Sequence, residues 1–159
     1  MSQIKLARWI KTVLTGLGIC GLLLYGGVIP SLGQSFVDMY PELSGNYVPW
    51  LVFLLLTAIP CYLFLIFGWK IATNIGKDRS FCMDNARYLQ TIAHLAAIDS
   101  GFFFVGNIVL WLAGKSHPGV VLASLLVVFL GVAISVAAAA LSHLVEKAAQ
   151  LQDENDLTI

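Results

Sequence analysis

Four long apolar stretches, separated by shorter polar ones, dominate the chain. They cover residues 9–29, 49–69, 88–113 and 119–141. Each reaches the roughly 20 helical residues needed to cross a hydrocarbon core. None alternates with the period of two expected of a strand, and all are too long for one. The pattern predicts an all-α fold, an integral membrane four-helix bundle in one domain, 1–159. The fourth helix should outrun the bilayer. Residues 137–152 contain no glycine or proline and are rich in strong helix formers. Leu141, Leu144, Val145, Ala148 and Leu151 form an apolar stripe at helical spacing. A helix from Gly119 to Gln152 would measure about 50 Å, against a core of about 30 Å. Residues 142–159 are therefore expected to be a cytoplasmic helical extension with an acidic tail.

Charge fixes the expected direction. Lys5, Arg8, Lys11, Lys70, Lys77, Arg79, Arg87 and Lys147 share one side of a four-span arrangement, and only Lys115 falls on the other. By the positive-inside rule both termini lie in the cytoplasm. Trp9, Trp50, Trp69 and Trp111 each fall at a span end, where amphipathic rings prefer to sit. The first span is longer than a signal-peptide core and lacks a small-residue cleavage site, so it is expected to stay. Residues 30–48 read as an outer loop, with Pro30, Gly33, Pro41 and Gly45 as breakers. Gly114 to Pro118 reads as a tight turn that makes spans three and four antiparallel neighbours. Composition agrees with a lipid environment: 58% of residues are hydrophobic and 11% charged, about half the usual charged share. Zero formal net charge removes any bulk attraction for nucleic acid, and no direct nucleic-acid binding is expected.

The polar residues inside the spans carry the candidate chemistry. Asp99 lies eleven residues after Tyr88, roughly 16 Å along a helix and near mid-bilayer. Facing lipid there would cost on the order of 3 kcal/mol, so Asp99 should face the bundle interior. It reads as a proton or cation site, as a polar lock between helices, or as a structural carboxyl bonded to a hydroxyl such as Ser135 or Thr57. No membrane-embedded lysine or arginine is available to pair with it. His94, five residues earlier, points about 140° away, so the two do not form a relay along one face. Asp99, Phe103 and Gly106 do share a face, and Gly106 would admit a close neighbour. Gly131, Ser135 and Ala139 place small residues four apart on span four, a seam either within the bundle or between two copies. Pro60 should kink span two.

Enzymatic signatures are missing: there is no Gly-x-Ser-x-Gly, His-Glu-x-x-His or phosphate-binding glycine loop. Cys20, Cys61 and Cys82 fit no metal or haem spacing and read as small hydrophobes. Neither catalysis, a metal nor a cofactor is expected.

Two segments carry a family resemblance. One is the ending Glu154-Asn155-Asp156-Leu157-Thr158-Ile159, preceded by a helix that includes Leu151. The other is Phe81-Cys82-Met83-Asp84-Asn85 at the entry to span three, followed by Leu89. The chain resembles the bacterial four-span membrane family known as domain of unknown function 2975. Cys82 stands where the family usually has serine and Asp84 where it has glutamate, which weakens the expected helix cap. The resemblance implies a bacterial plasma-membrane protein. It also implies a partner, because family members are often encoded beside a small Cro/C1-type helix-turn-helix regulator. Phe81, Asn85, Leu151, Glu154, Asp156 and Leu157 are then the candidate cytoplasmic partner surface. The expected function is regulatory, with a small oligomeric transporter or channel-like protein using Asp99 as the alternative.

Overall fold

A computed structural model describes residues 2–156, and every regular element among them is helical. Helix α1 (Gln3–Leu23) passes through a π-helical turn (Leu24–Val28) into α2 (Ile29–Met39). A 3-10 segment (Pro41–Asn46) leads to α3 (Tyr47–Gly76). Helices α4 (Met83–Leu112) and α5 (Pro118–Asp156) complete the chain. Four of these rods are long and apolar enough to span a membrane: Gln3–Met39, Ser44–Gly76, Met83–Leu112 and Pro118–Asn155. The fold is a membrane four-helix bundle.

The stretch read as an outer loop is mostly helix. Pro30 does not break it: the helical rod Gln3–Met39 runs on through it, with the π-helical turn Leu24–Val28 immediately before, the kind of local widening that accommodates a missing N–H. Gly33 does not break it either. It is a packing position, where an added Cβ would collide with the rings of Tyr47 and Trp50. The break comes at Pro41, which keeps Tyr40 out of the helical region (φ −131°, ψ 77°) and ends α2. The second turn is as tight as expected. Gly114 takes the left-handed conformation (φ 69°) that a side chain resists, and Pro118 opens α5. Helix α3 continues through Pro60.

Each span packs on its neighbour in sequence: α1 on α3, α3 on α4, and α4 most extensively on α5. Among the described residues α1 and α5 form no comparable seam. The α1–α3 seam brings Ala7 against Gly76, Leu14 against Gly68 and Tyr62 against Gly21, and the Tyr62 hydroxyl donates to the Gly18 carbonyl at 3.1 Å. Gln3 and Ser80 meet at 3.5 Å, so the start of α1 lies beside the α3–α4 hairpin. Near that end Lys11 sits 5.0 Å over the Trp69 ring, while Lys70 covers Phe67 and Tyr88.

The α4–α5 seam corrects the small-residue stripe. Its α5 side is Ser124, Val128, Gly131, Ser135, Ala138, Ser142, Val145 and Ala149, spaced alternately four and three apart. That 3.5-residue repeat keeps a seam facing a left-handed partner, whereas a strict stride of four drifts off it. Ala139 is therefore exposed and Ala138 takes its place. Val145 likewise belongs to the seam, leaving Leu141, Leu144 and Leu151 on the outward face at 50%, 64% and 65% exposure. Two hydroxyls bond the seam together: Ser135 donates to the Ala93 carbonyl at 2.8 Å and Ser142 to the Ala86 carbonyl at 2.7 Å. The stripe of small residues thus packs within one chain.

Candidate intramembrane site

Asp99 stands near the middle of α4 and, as its spacing implies, faces α3 together with Phe103 and Gly106. Phe103 and Phe102 both stack near Phe53 of α3, at 5.8 and 5.2 Å between ring centroids. A Cβ on Gly106 would fall into the Phe53 ring, so glycine is what lets that ring lie against α4. One turn deeper, the Cys61 thiol of α3 approaches Asp99 Oδ2 at 3.9 Å and donates to it.

Neither hydroxyl suggested by the sequence bonds Asp99. Ser135 faces the α4 backbone at Ala93, six residues before the carboxyl or about 9 Å along the helix. Thr57 donates to the Leu54 carbonyl at 2.7 Å, and its oxygen lies 3.0 Å from the Tyr25 hydroxyl. Tyr25 also reaches Cys61 Sγ, at 3.7 Å. Thr57, Tyr25, Cys61 and Asp99 therefore form one polar chain linking α3, the π-helical turn of the first span and α4. Its links weaken toward the carboxyl, because sulfur is a poor donor and a poor acceptor. The thiol is the one hydrogen-bond partner of Asp99 among the described residues.

This chain lines a cavity of about 580 Å³ to which all four spans contribute. Leu17, Gly21 and Tyr25 come from the first span, Thr57, Pro60 and Cys61 from α3, Asp99 and Ser100 from α4, and Leu130 and Gly131 from α5. The volume lies within the range typical of sites for small organic molecules. Its wall is apolar apart from that chain, Ser100 and Tyr62. Neither of those two is free to engage a ligand fully, since each already donates to a backbone carbonyl. Leu17, Leu24 and Leu130 line the cavity and yet are 51%, 46% and 62% exposed, so it opens where α1 and α5 fail to meet.

The candidate partner surface divides. Phe81 is 57% exposed and Leu151 65% exposed. Asn85 is not on that surface, being only 1% exposed. Its side chain accepts from Asn74 Nδ2 at 2.8 Å and donates to the Arg79 and Ser80 carbonyls at 3.2 and 3.0 Å. It ties the end of α3 to the start of α4. Cys82 occupies the N-cap position of α4 without a side-chain cap bond, consistent with the loss expected from replacing serine. Glu154 lies within α5, while Leu157 and the Asp156 side chain fall outside the description.

Residues 31–159 match the family described as a protein of unknown function, DUF2975. The chain belongs to this family. A DUF2975 relative by similarity, the uncharacterized membrane protein YoaS of Bacillus subtilis (strain 168), is 31% identical over 154 residues, covering 94% of each chain. No solved structure matches. The match takes in most of α2, all of α3 to α5 and the tail, and thus the cavity-lining residues of the second, third and fourth spans.

The sequence pattern assigns no role to Tyr25 and marks Cys61 only as a small hydrophobe. Tyr25 falls four residues inside the end of the predicted span 9–29, where a tyrosine reads as interfacial, and only the extension of the helix to Met39 places its hydroxyl where it must find a partner in hydrocarbon. Cys61 gains meaning only from its place between Tyr25 and Asp99.

Proposed function

We propose that this protein is a regulatory component of the bacterial plasma membrane. Both termini are cytoplasmic, and the protein relays the state of its intramembrane cavity to a small helix-turn-helix regulator. The observation that carries this reading is the continuity of α5. The same 39-residue helix lines the cavity through Val127, Leu130 and Ile134 and runs on to Asp156. At about 58 Å it exceeds the hydrocarbon core by nearly half its length. A tilt imposed at the cavity is delivered by a rigid rod to the far end, where Leu144 and Leu151 are uncovered. The eight basic residues gathered on the side of the termini support the orientation. The acidic residues Asp153, Glu154 and Asp156 suit a basic DNA-binding surface. A regulator should co-purify with the full-length protein in mild detergent, and deleting residues 151–159 should abolish both its recovery and the transcriptional response. Recovery of no regulator, together with unchanged transcription after the deletion, would sink the reading.

The cavity itself favours a second reading, transport of a small solute on Asp99 by an oligomer. Flux into liposomes should then fall when Asp99→Asn replaces the wild type. Equal flux would remove Asp99 from any transport mechanism.

A further inference from the structure

The lining of the cavity specifies more than its size. Among the described residues Asp99 is its one acidic lining residue, and no lysine, arginine or histidine lines it. Four aromatic rings, Tyr25, Tyr62, Phe64 and Phe103, stand around the same space. A carboxylate set among aromatic faces in a desolvated pocket is the combination that binds cations, through direct charge pairing and through the ring quadrupoles. Much of the carboxyl's bonding capacity is unspent, since a single thiol at 3.9 Å is its contact. The remaining surface is alkyl and large enough for an organic group. A hydrated inorganic cation would gain little there, because the wall offers few oxygen ligands. The route in is also apolar. The cavity opens between α1 and α5, past Leu17, Leu24 and Leu130, on a side that lipid tails would cover. A ligand that arrives this way must first dissolve in the membrane.

We infer that the cavity is a binding site for a hydrophobic organic cation, which enters from the lipid between α1 and α5 and pairs with Asp99. The aromatic rings and the apolar wall take up the organic groups, and the cation gives Asp99 the positive partner that no basic side chain in the described lining provides. This deepens the regulatory reading by naming its signal, while binding itself can be tested apart from any partner protein.

Tetraphenylphosphonium is a suitable probe, with the anion of the same shape, tetraphenylborate, as its control. Equilibrium dialysis against the full-length protein in micelles, corrected with protein-free micelles, should show saturable phosphonium binding and none of the borate. In Asp99→Asn the phosphonium should bind at least about tenfold more weakly, as expected for losing a charged partner. Equal affinity in wild type and Asp99→Asn, or equal binding of the anion, overturns the inference. If Asp99→Asn does not fold, alkylation of Cys61 in the wild-type protein decides. Read by mass spectrometry at that cysteine, the reaction should slow severalfold when the phosphonium is present, and an unchanged rate overturns the inference equally. Phosphonium binding without any change in transcription would instead count against the regulatory reading and leave the site standing.

Discussion

Replacing Asn85 with alanine is expected to cost about 3 kcal/mol of bundle stability. The side chain is 1% exposed and satisfies three partners at once: Asn74 Nδ2 and the carbonyls of Arg79 and Ser80. Alanine removes all three bonds while leaving those groups half enclosed, so their desolvation is no longer offset. Asn85→Asp should fare little better, because two of the bonds need an amide donor that aspartate lacks. The damage is local to the hairpin, whose tip includes Asp78 in the left-handed region (φ 60°). It reaches further through the next residue, since the Ala86 carbonyl receives the Ser142 hydroxyl and so holds α5. In mild detergent the unfolding midpoint should fall by roughly 5–10 °C. Trypsin should cut sooner after Lys77 and Arg79, both exposed on this hairpin. Replacement of the exposed Gln90 in α4 serves as the comparison and should be within about 0.5 kcal/mol of wild type. A tryptic rate equal to wild type in Asn85→Ala would show that the hairpin does not depend on this amide.

The second large effect is at Gly106. Leucine there should destabilise the α3–α4 pair by about 1–3 kcal/mol through overpacking. An added Cβ already overlaps the Phe53 ring, which has little room to retreat because Phe102 and Phe103 stack around it. The ring must leave its place or the helices must part. A double-mutant cycle separates this cause from a general intolerance of bulk. Phe53→Leu, which removes the obstructing ring, should recover much of the stability lost in Gly106→Leu. Strict additivity of the two changes would refute the contact as the reason for glycine.

Much of this architecture was legible in the sequence because membrane spans announce themselves by length and apolarity. The four spans, the tight second turn and the common face of Asp99, Phe103 and Gly106 all follow from that signal and from helical geometry. The helix within residues 30–48 does not follow from that signal, because whether a proline or glycine breaks a helix depends on its position. Pro30 sits where a helix tolerates it, and Gly33 sits where two aromatic rings require it. The stripe on α5 was assigned a stride of four, and only the facing helix reveals that the repeat is 3.5. Asn85 looked like part of a binding surface because a polar residue beside an exposed phenylalanine gives no hint that three partners enclose it. The polar chain through Tyr25 and Cys61 depends on register between helices far apart in sequence, which no single span encodes.

The packing order of the helices bears on how the chain is made. Every seam joins a span to the one synthesised just before it, α1 to α3, α3 to α4 and α4 to α5. No early span waits for a late one to complete its contacts, so the bundle can be assembled in the order of translation, one hairpin closing on the last. The cavity is the exception. Its α5 wall, with Leu130 and Gly131, arrives after every other lining residue is in place. A nascent chain halted before α5 would therefore hold Asp99 beside its thiol but without its fourth wall, and the site comes into being only with the last helix.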